Sequence, residues 1–225
     1  MVFYPNCTHP ILRLSSFEDY FFDLDGTLLE TGPSIIAALS ATLDAFGIEH
    51  EKVDLQSFVG PPLKPMVEKT FLLSSEKSTE FVDAFRKNYL SDNVFLRCSP
   101  YQGVVSTLVS LNRNGKKLFV ASSKPHHIML KMLDFFGMVS LFQDIQGSDE
   151  KQMLVTKQQV INELIFRNSL QTKDVLMIGD TSSDILGARK SGVHSCGVLY
   201  GYGTKDELVN NGADFVISEF SDLID

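Results

Sequence analysis

The sequence predicts an α/β protein, a parallel sheet covered by helices on both faces and interrupted after its first strand by a small α-helical insertion. Three observations carry this. From Val104 onward, short apolar runs alternate with helical periodicity, the pattern of a parallel sheet whose crossover helices cover both faces. The first apolar run, Tyr20-Phe21-Phe22-Asp23-Leu24, is followed by a long helical block from Gly32 to Arg97 with no strand signal. The chain has 225 residues, 44% of them hydrophobic and 21% charged, enough to bury a core without disulfide or metal staples.

The first strand runs into Asp25-Gly26-Thr27, an Asp-Gly turn that ends it. In the helical block, Pro33 opens a helix whose face is Ile36, Leu39, Leu43 and Phe46, closed by Gly47. After Gly60-Pro61-Pro62, Leu63, Met66, Val67 and Phe71 recur at helical spacing, as do Phe81, Val82, Phe85 and Tyr89. The aromatics Phe71, Phe81, Phe85 and Tyr89 read as the core of this insertion. Helices are then predicted at Val104–Leu111, Ile128–Phe136, Val155–Phe166 and Ile185–Lys190. Strands are predicted at Leu118–Ala121, Phe142–Ile145, Val175–Ile178, near Val198 and at Phe215–Ile217. The domain plan is an extension over residues 1–16, a core from 17–31 and 98–225, and the helical insertion at 32–97.

Charge excludes one class of function. Twenty Lys and Arg against 28 Asp and Glu give a net charge of −8, so nonspecific nucleic-acid binding, which depends on cationic neutralisation of phosphates, is not expected. Cys7, Cys98 and Cys196 are scattered and form no metal or disulfide pattern, as in a reducing, cytoplasmic setting. No apolar run reaches the length of a membrane span, and the first twenty residues lack the basic and apolar segments of a signal peptide. Asn6-Cys7-Thr8 matches a glycosylation acceptor, read as chance in that setting. The expected state is a monomer or weak homodimer with no membrane or nucleic-acid partner.

Ligands of open parallel sheets bind beyond the carboxyl ends of the strands, so the residues following each strand are the candidates. They are Asp23 and Asp25 with Thr27, then Ser122-Ser123-Lys124-Pro125, then Gly179-Asp180-Thr181-Ser182-Ser183-Asp184, with Lys157 at a helix start between the last two. Two carboxylates ~4 Å apart repel by about 4 kcal/mol at an effective dielectric of 20. Such a cluster therefore calls for counter-charge, and a hard divalent cation such as Mg²⁺ supplies it while also engaging substrate phosphate oxygens. Singly, each residue has an ordinary reading. An Asp-Gly turn is common turn chemistry, Asp180 and Asp184 favour a helix N-cap, and Lys151 competes with Lys157. Lys124, His126 and His127 read as solvent-facing.

Phe22-Asp23-Leu24-Asp25-Gly26-Thr27-Leu28, Ser122, Lys157 and Gly179–Asp184 together resemble, in order and context, the four motifs of the haloacid dehalogenase-like (HAD) superfamily. The insertion, Ser122-Ser123-Lys124-Pro125 and Val198-Leu199-Tyr200-Gly201-Tyr202-Gly203 resemble its phosphoglycolate phosphatase-like branch. The resemblance implies a Rossmann-like, HAD-type core with a helical cap. It implies an Mg²⁺-dependent phosphatase for a small phosphorylated metabolite, acting through an aspartyl-phosphate. Asp23 would be the nucleophile and Asp25 the proton shuttle. Asp23, the Asp25 backbone carbonyl, Asp180 and Asp184 would hold the metal, and Thr27, Ser122, Ser123 and Lys157 the phosphoryl group. Nucleotides, sugar phosphates or pyrophosphate are alternative substrates, and a phosphosugar mutase or a phospho-aspartate signalling module are alternative functions. The cap is expected to hinge near Thr31-Gly32-Pro33 and Cys98-Ser99-Pro100 and to meet substrate with Phe58-Val59-Gly60-Pro61-Pro62.

Overall fold

The computed structural model describes residues 13–60, 63–149, 154 and 156–224. Most of the extension at 1–16, with Asn6-Cys7-Thr8, lies outside them, as do Pro61, Pro62, Lys151 and Val155. The elements in chain order are β1 (Asp19–Phe22), β2 (Leu29–Glu30), α1 (Gly32–Ala45), α2 (Leu63–Phe71), α3 (Ser75–Leu90), β3 (Ser99–Pro100), α4 (Val104–Arg113), β4 (Lys117–Pro125), α5 (His126–Phe135), β5 (Asp144–Ser148), α6 (Lys157–Asn168), β6 (Val175–Gly179), α7 (Ser182–Ser191), β7 (His194–Val198), α8 (Lys205–Asn210) and β8 (Phe215–Ile217). The chain divides into two compact units, Met1–Leu29 with Pro100–Asp225, and Glu30–Ser99. The two-residue strands β2 and β3, where the chain passes between units, pair with each other.

The larger unit is a six-stranded sheet in the order β5-β4-β1-β6-β7-β8, with every neighbouring pair parallel. Its strands are apolar on both sides because both faces are covered. Alternate residues Phe21, Phe119, Val175 and Met177 join Val160, Ile161 and Leu164 of α6 and Ala188 of α7 in one cluster. On the opposite face Phe22 packs against Phe142 and Phe220, with ring centroids 6.4 and 5.5 Å away. Burying each such side chain contributes about 1.5–3 kcal/mol. The buried Tyr20 hydroxyl donates to the Leu14 carbonyl at 2.6 Å, which satisfies its polar tip.

Besides the short strands β2 and β3, three elements depart from the sequence reading. β4 is a nine-residue strand running through Ser122–Pro125 rather than stopping at Ala121. β5 begins at Asp144, because Phe142 ends a 3₁₀ turn and turns into the core. The six-residue helix α8 was not foreseen. It is capped by Thr204, whose hydroxyl accepts from the Glu207 N–H, and it is too short to display a period.

The smaller unit is helical. Leu39 and Leu43 of α1, Phe58, Val67 of α2 and Phe81 of α3 form its core, with Phe46, Phe71 and Phe85 packed around them. The Phe46 and Phe81 rings lie 5.1 Å apart. Asn88 Nδ2 donates to Thr42 Oγ1 at 2.9 Å, tying α3 to α1 through a buried hydroxyl.

Candidate active site

β1 lies between β4 and β6. The chain adds β5 beyond β4 on one side and β7 and β8 beyond β6 on the other. Strand order therefore reverses at β1, which puts the switch point of the sheet beyond the carboxyl ends of β1, β4 and β6. Register supplies its residues. Phe22 is level with Val120 and Ile178, so Asp23 lies one residue beyond that row, and Ser122 and Asp180 lie two beyond it. The Asp23 N–H still donates to the Ile178 carbonyl at 2.9 Å, which extends the strand geometry to this carboxylate. The Leu24 carbonyl then accepts from the Leu28 and Leu29 N–H groups at 3.0 and 2.9 Å, turning the chain away after Asp25.

The carboxylates of Asp23, Asp180 and Asp184 each offer an oxygen, all within 4.8 Å of one another. Asp184 does two things at once. Its Oδ2 accepts from the Thr181 N–H and hydroxyl at 3.1 and 3.0 Å, capping α7, while Oδ1 faces Lys157. Lys157 is the first residue of α6, and only 4% of it is exposed. Its ammonium has three donors and meets three oxygens: Asp23 Oδ1 and Asp184 Oδ1, both at 2.8 Å, and the Ala121 carbonyl at 3.0 Å.

Burial pushes the Asp23 carboxyl up to about 6, with Asp184 adding to the rise and Lys157 opposing it. Asp180 is pushed well above the usual carboxylate range by burial and by the neighbouring charges of Asp184 and Asp23. Burial alone would lower Lys157, but Asp184 and Asp23 outweigh it and hold the ammonium above its ordinary value. One ammonium thus contacts two of three closely grouped carboxyl groups, and the raised pKa values of Asp23 and Asp180 mark a shortage of positive charge beside them. Closely grouped hard oxygen donors with that shortage fit a hard divalent cation. Among the described residues, no other group of three His, Cys, Asp or Glu side chains has this arrangement.

The remaining expected residues are placed unequally. Ser122 is buried, and its hydroxyl accepts the Lys124 N–H at 3.2 Å. Ser123 is exposed. Thr27 is fully buried, with its hydroxyl 3.5 Å from Asp180 Oδ1, so it backs Asp180 instead of presenting a hydroxyl to a ligand. The Asp25 carboxylate stands apart from the acidic trio, with both oxygens on Lys124 Nζ at 3.1 and 3.0 Å. Lys124 is therefore not solvent-facing; its side chain is 7% exposed. His127 is exposed as expected, but His126 is half-buried and its Nδ1 accepts the Gly147 N–H at 3.2 Å. Burial, with Arg167 nearby, lowers the His126 pKa, in keeping with a neutral acceptor.

Sequence reasoning assigned no role to the β7–α8 loop, yet it encloses Asp180. The Tyr202 N–H donates to Asp180 Oδ2 at 2.8 Å, and the Tyr200 hydroxyl to the Thr27 carbonyl at 3.0 Å. A Cβ on Gly203 would lie 2.0 Å from the Asp180 carbonyl oxygen, so only glycine permits this approach. The glycines alternating with tyrosines in Tyr200-Gly201-Tyr202-Gly203 were the available signal.

A family model described as haloacid dehalogenase-like hydrolase matches residues 20–198. A phosphoglycolate phosphatase from Aquifex aeolicus is 32% identical over 207 residues, 90% of this chain and 93% of the relative. A 5′-nucleotidase from Pseudomonas aeruginosa is 31% identical over 193 residues, 85% and 87% of the two chains. Among solved structures, a predicted phosphatase from Clostridium acetobutylicum matches with a TM-score of 0.82 and 34% identity, covering 92% of this chain and 96% of its own.

Proposed function

We propose that this chain, which belongs to the haloacid dehalogenase-like hydrolase family, is a phosphatase that hydrolyses a small phosphomonoester by way of Asp23. The observation that carries the reading is the meeting of Asp23, Asp180 and Asp184, with Lys157 paired to the first and last of them. Relatives named phosphoglycolate phosphatase and 5′-nucleotidase share this substrate chemistry, and a phosphoglycolate-like ester is the first candidate.

In the first step a carboxylate oxygen of Asp23 attacks phosphorus, the ester P–O bond breaks, and the leaving oxygen takes a proton from Asp25. In the second, Asp25 takes a proton from water as the water oxygen attacks the same phosphorus. Inorganic phosphate leaves and the Asp23 carboxylate is restored. Lys157 and Ser122 would meet the phosphoryl oxygens and the charge that develops on them. Asp23, Asp180 and Asp184, with the Asp25 carbonyl, would hold Mg²⁺. Bound there, the ion supplies positive charge that offsets repulsion between a dianionic ester and the acids.

The test is phosphate release, with Mg²⁺ supplied, across phosphoglycolate, nucleoside monophosphates, sugar phosphates and pyrophosphate. Multiple turnover on a phosphomonoester supports the reading. A lasting phosphoprotein that does not turn over would contradict it and favour a phospho-aspartate switch.

A further inference from the structure

Two buried lysines serve the site, and they divide the acids between them. Lys157 lies on Asp23 and Asp184, whereas Lys124 Nζ spans both oxygens of Asp25. An ammonium this buried needs a partner to offset its desolvation, and here the partner is the acid that the proposed reaction uses as its proton shuttle.

The backbone is built to deliver this contact. β4 and β5 run in register from Phe119↔Asp144 to Ala121↔Gln146, and the next aligned pair is Pro125↔Ser148. Three residues of β4, Ser122 to Lys124, thus face the single residue Gly147 of β5. Such a bulge bends a strand and re-aims its side chains, often beside an active site. Gly147 makes the bulge fit, because a Cβ there would lie 2.5 Å from the Lys124 carbonyl oxygen and 2.7 Å from His126 Cα. Its N–H donates to His126 Nδ1, and the Lys124 N–H donates to Ser122 Oγ, so the bulge is fastened on both sides of Lys124.

We infer that Lys124 is the positioning residue for Asp25, aimed by the bulge over Gly147 to hold that carboxyl group where it gives a proton to the leaving oxygen. The inference rests on the phosphatase reading above. Lys124 acts through Asp25 and need not touch the phosphoryl group. Its loss therefore weighs most on esters whose leaving oxygen depends on a proton.

The experiment compares kcat/KM for an alkyl phosphate and for dinitrophenyl phosphate, whose leaving group departs without protonation. It uses wild type, Lys124→Met, Lys124→Arg, Asp25→Asn and the Asp25→Asn/Lys124→Met double variant, with thermal midpoints measured alongside. Lys124→Met is expected to lower kcat/KM on the alkyl ester by about 100-fold and on the aryl ester by less than about 10-fold. Lys124→Arg, which keeps the cation, is expected to lie between Lys124→Met and wild type with the same selectivity. In the Asp25→Asn background, Lys124→Met is expected to add no further selective loss. Equal loss on both esters would overturn the inference, placing Lys124 on the phosphoryl group or in the fold alone. Undiminished alkyl-ester turnover would overturn it too. If Lys124→Met does not fold, Lys124→Arg decides by the same selectivity. A wild type inactive on both esters would instead overturn the phosphatase reading, and the inference with it.

Discussion

Lys157 Nζ lies 2.8 Å from Asp23 Oδ1, joining the first residue of α6 to the end of β1 through an almost dry contact. Removing one member of a buried ion pair costs about 3–5 kcal/mol, because the other charge is left without compensation. Lys157→Met is expected to lower stability by that order, seen as a fall in the thermal midpoint, and added Mg²⁺ is expected to recover part of the loss by replacing the missing positive charge. Thermal unfolding with and without Mg²⁺ measures both effects. In turnover the same variant is expected to lose about 10²–10³ in kcat, the scale for removing one preorganised donor from developing charge.

Cation binding has a signature independent of activity. A ligand that binds only the folded state at 100 times its Kd stabilises by about 2.7 kcal/mol. The wild-type thermal midpoint is therefore expected to climb with Mg²⁺, and Asp180→Asn to shift the titration to higher concentration. Chelation is expected to abolish turnover and Mg²⁺ to restore it. A midpoint indifferent to Mg²⁺ would contradict the assignment of Asp180.

The loop over Asp180 makes a prediction away from the acids. In Gly203→Ala the new Cβ would press on the Asp180 carbonyl oxygen, and forcing a methyl into a packed site costs about 1–3 kcal/mol. The backbone must move there, and with it the Tyr202 N–H that holds Asp180 Oδ2. Lower stability together with weaker Mg²⁺ binding, measured calorimetrically, is the expected result. Lower stability with unchanged Mg²⁺ binding would show that the loop does not orient Asp180.

Away from the switch point, Asp144 accepts from Arg167 Nε and Nη2 at 2.7 and 2.8 Å and ties the start of β5 to the end of α6. Burial alone would raise this carboxyl, but hydrogen bonds from Arg167, Asn168 and the Ile145 N–H override it and hold the pKa below its ordinary value. A depressed carboxylate pKa contributes stability above the unfolded-state value near 3.9 and loses it as pH falls through the lower folded-state value. Asp144→Asn is thus expected to cost about 1–2 kcal/mol at neutral pH and less as pH drops below about 4. Denaturant unfolding across that range checks it, and a cost constant with pH would contradict it.

Much of this architecture was legible in the sequence, for physical reasons. Strands of a sheet buried on both faces are apolar throughout, so Tyr20–Phe22 and Val175–Ile178 stood out, and the acids directly after them had to lie at one sheet edge. What stayed hidden depends on contacts distant in sequence. Lys124 looked like an ordinary surface lysine because nothing local records the bulge opposite Gly147 or the reach to Asp25. Thr27 was expected to meet phosphate, since a hydroxyl beside an Asp-Gly turn does not reveal that its own turn buries it against Asp180. The two-residue strands β2 and β3 and the single-turn-scale helix α8 are too brief to show any period.

The central claim is that phosphorus is transferred to Asp23 and then to water. Acid quenching of Asp25→Asn during reaction with an aryl phosphate, followed by peptide mass analysis, tests it most directly, because on this account that variant is expected to load the phosphoryl group and to discharge it slowly. The account predicts one phosphoryl group on the peptide containing Asp23, and none in Asp23→Asn. Phosphoryl found on another residue, or turnover persisting in Asp23→Asn, would contradict it.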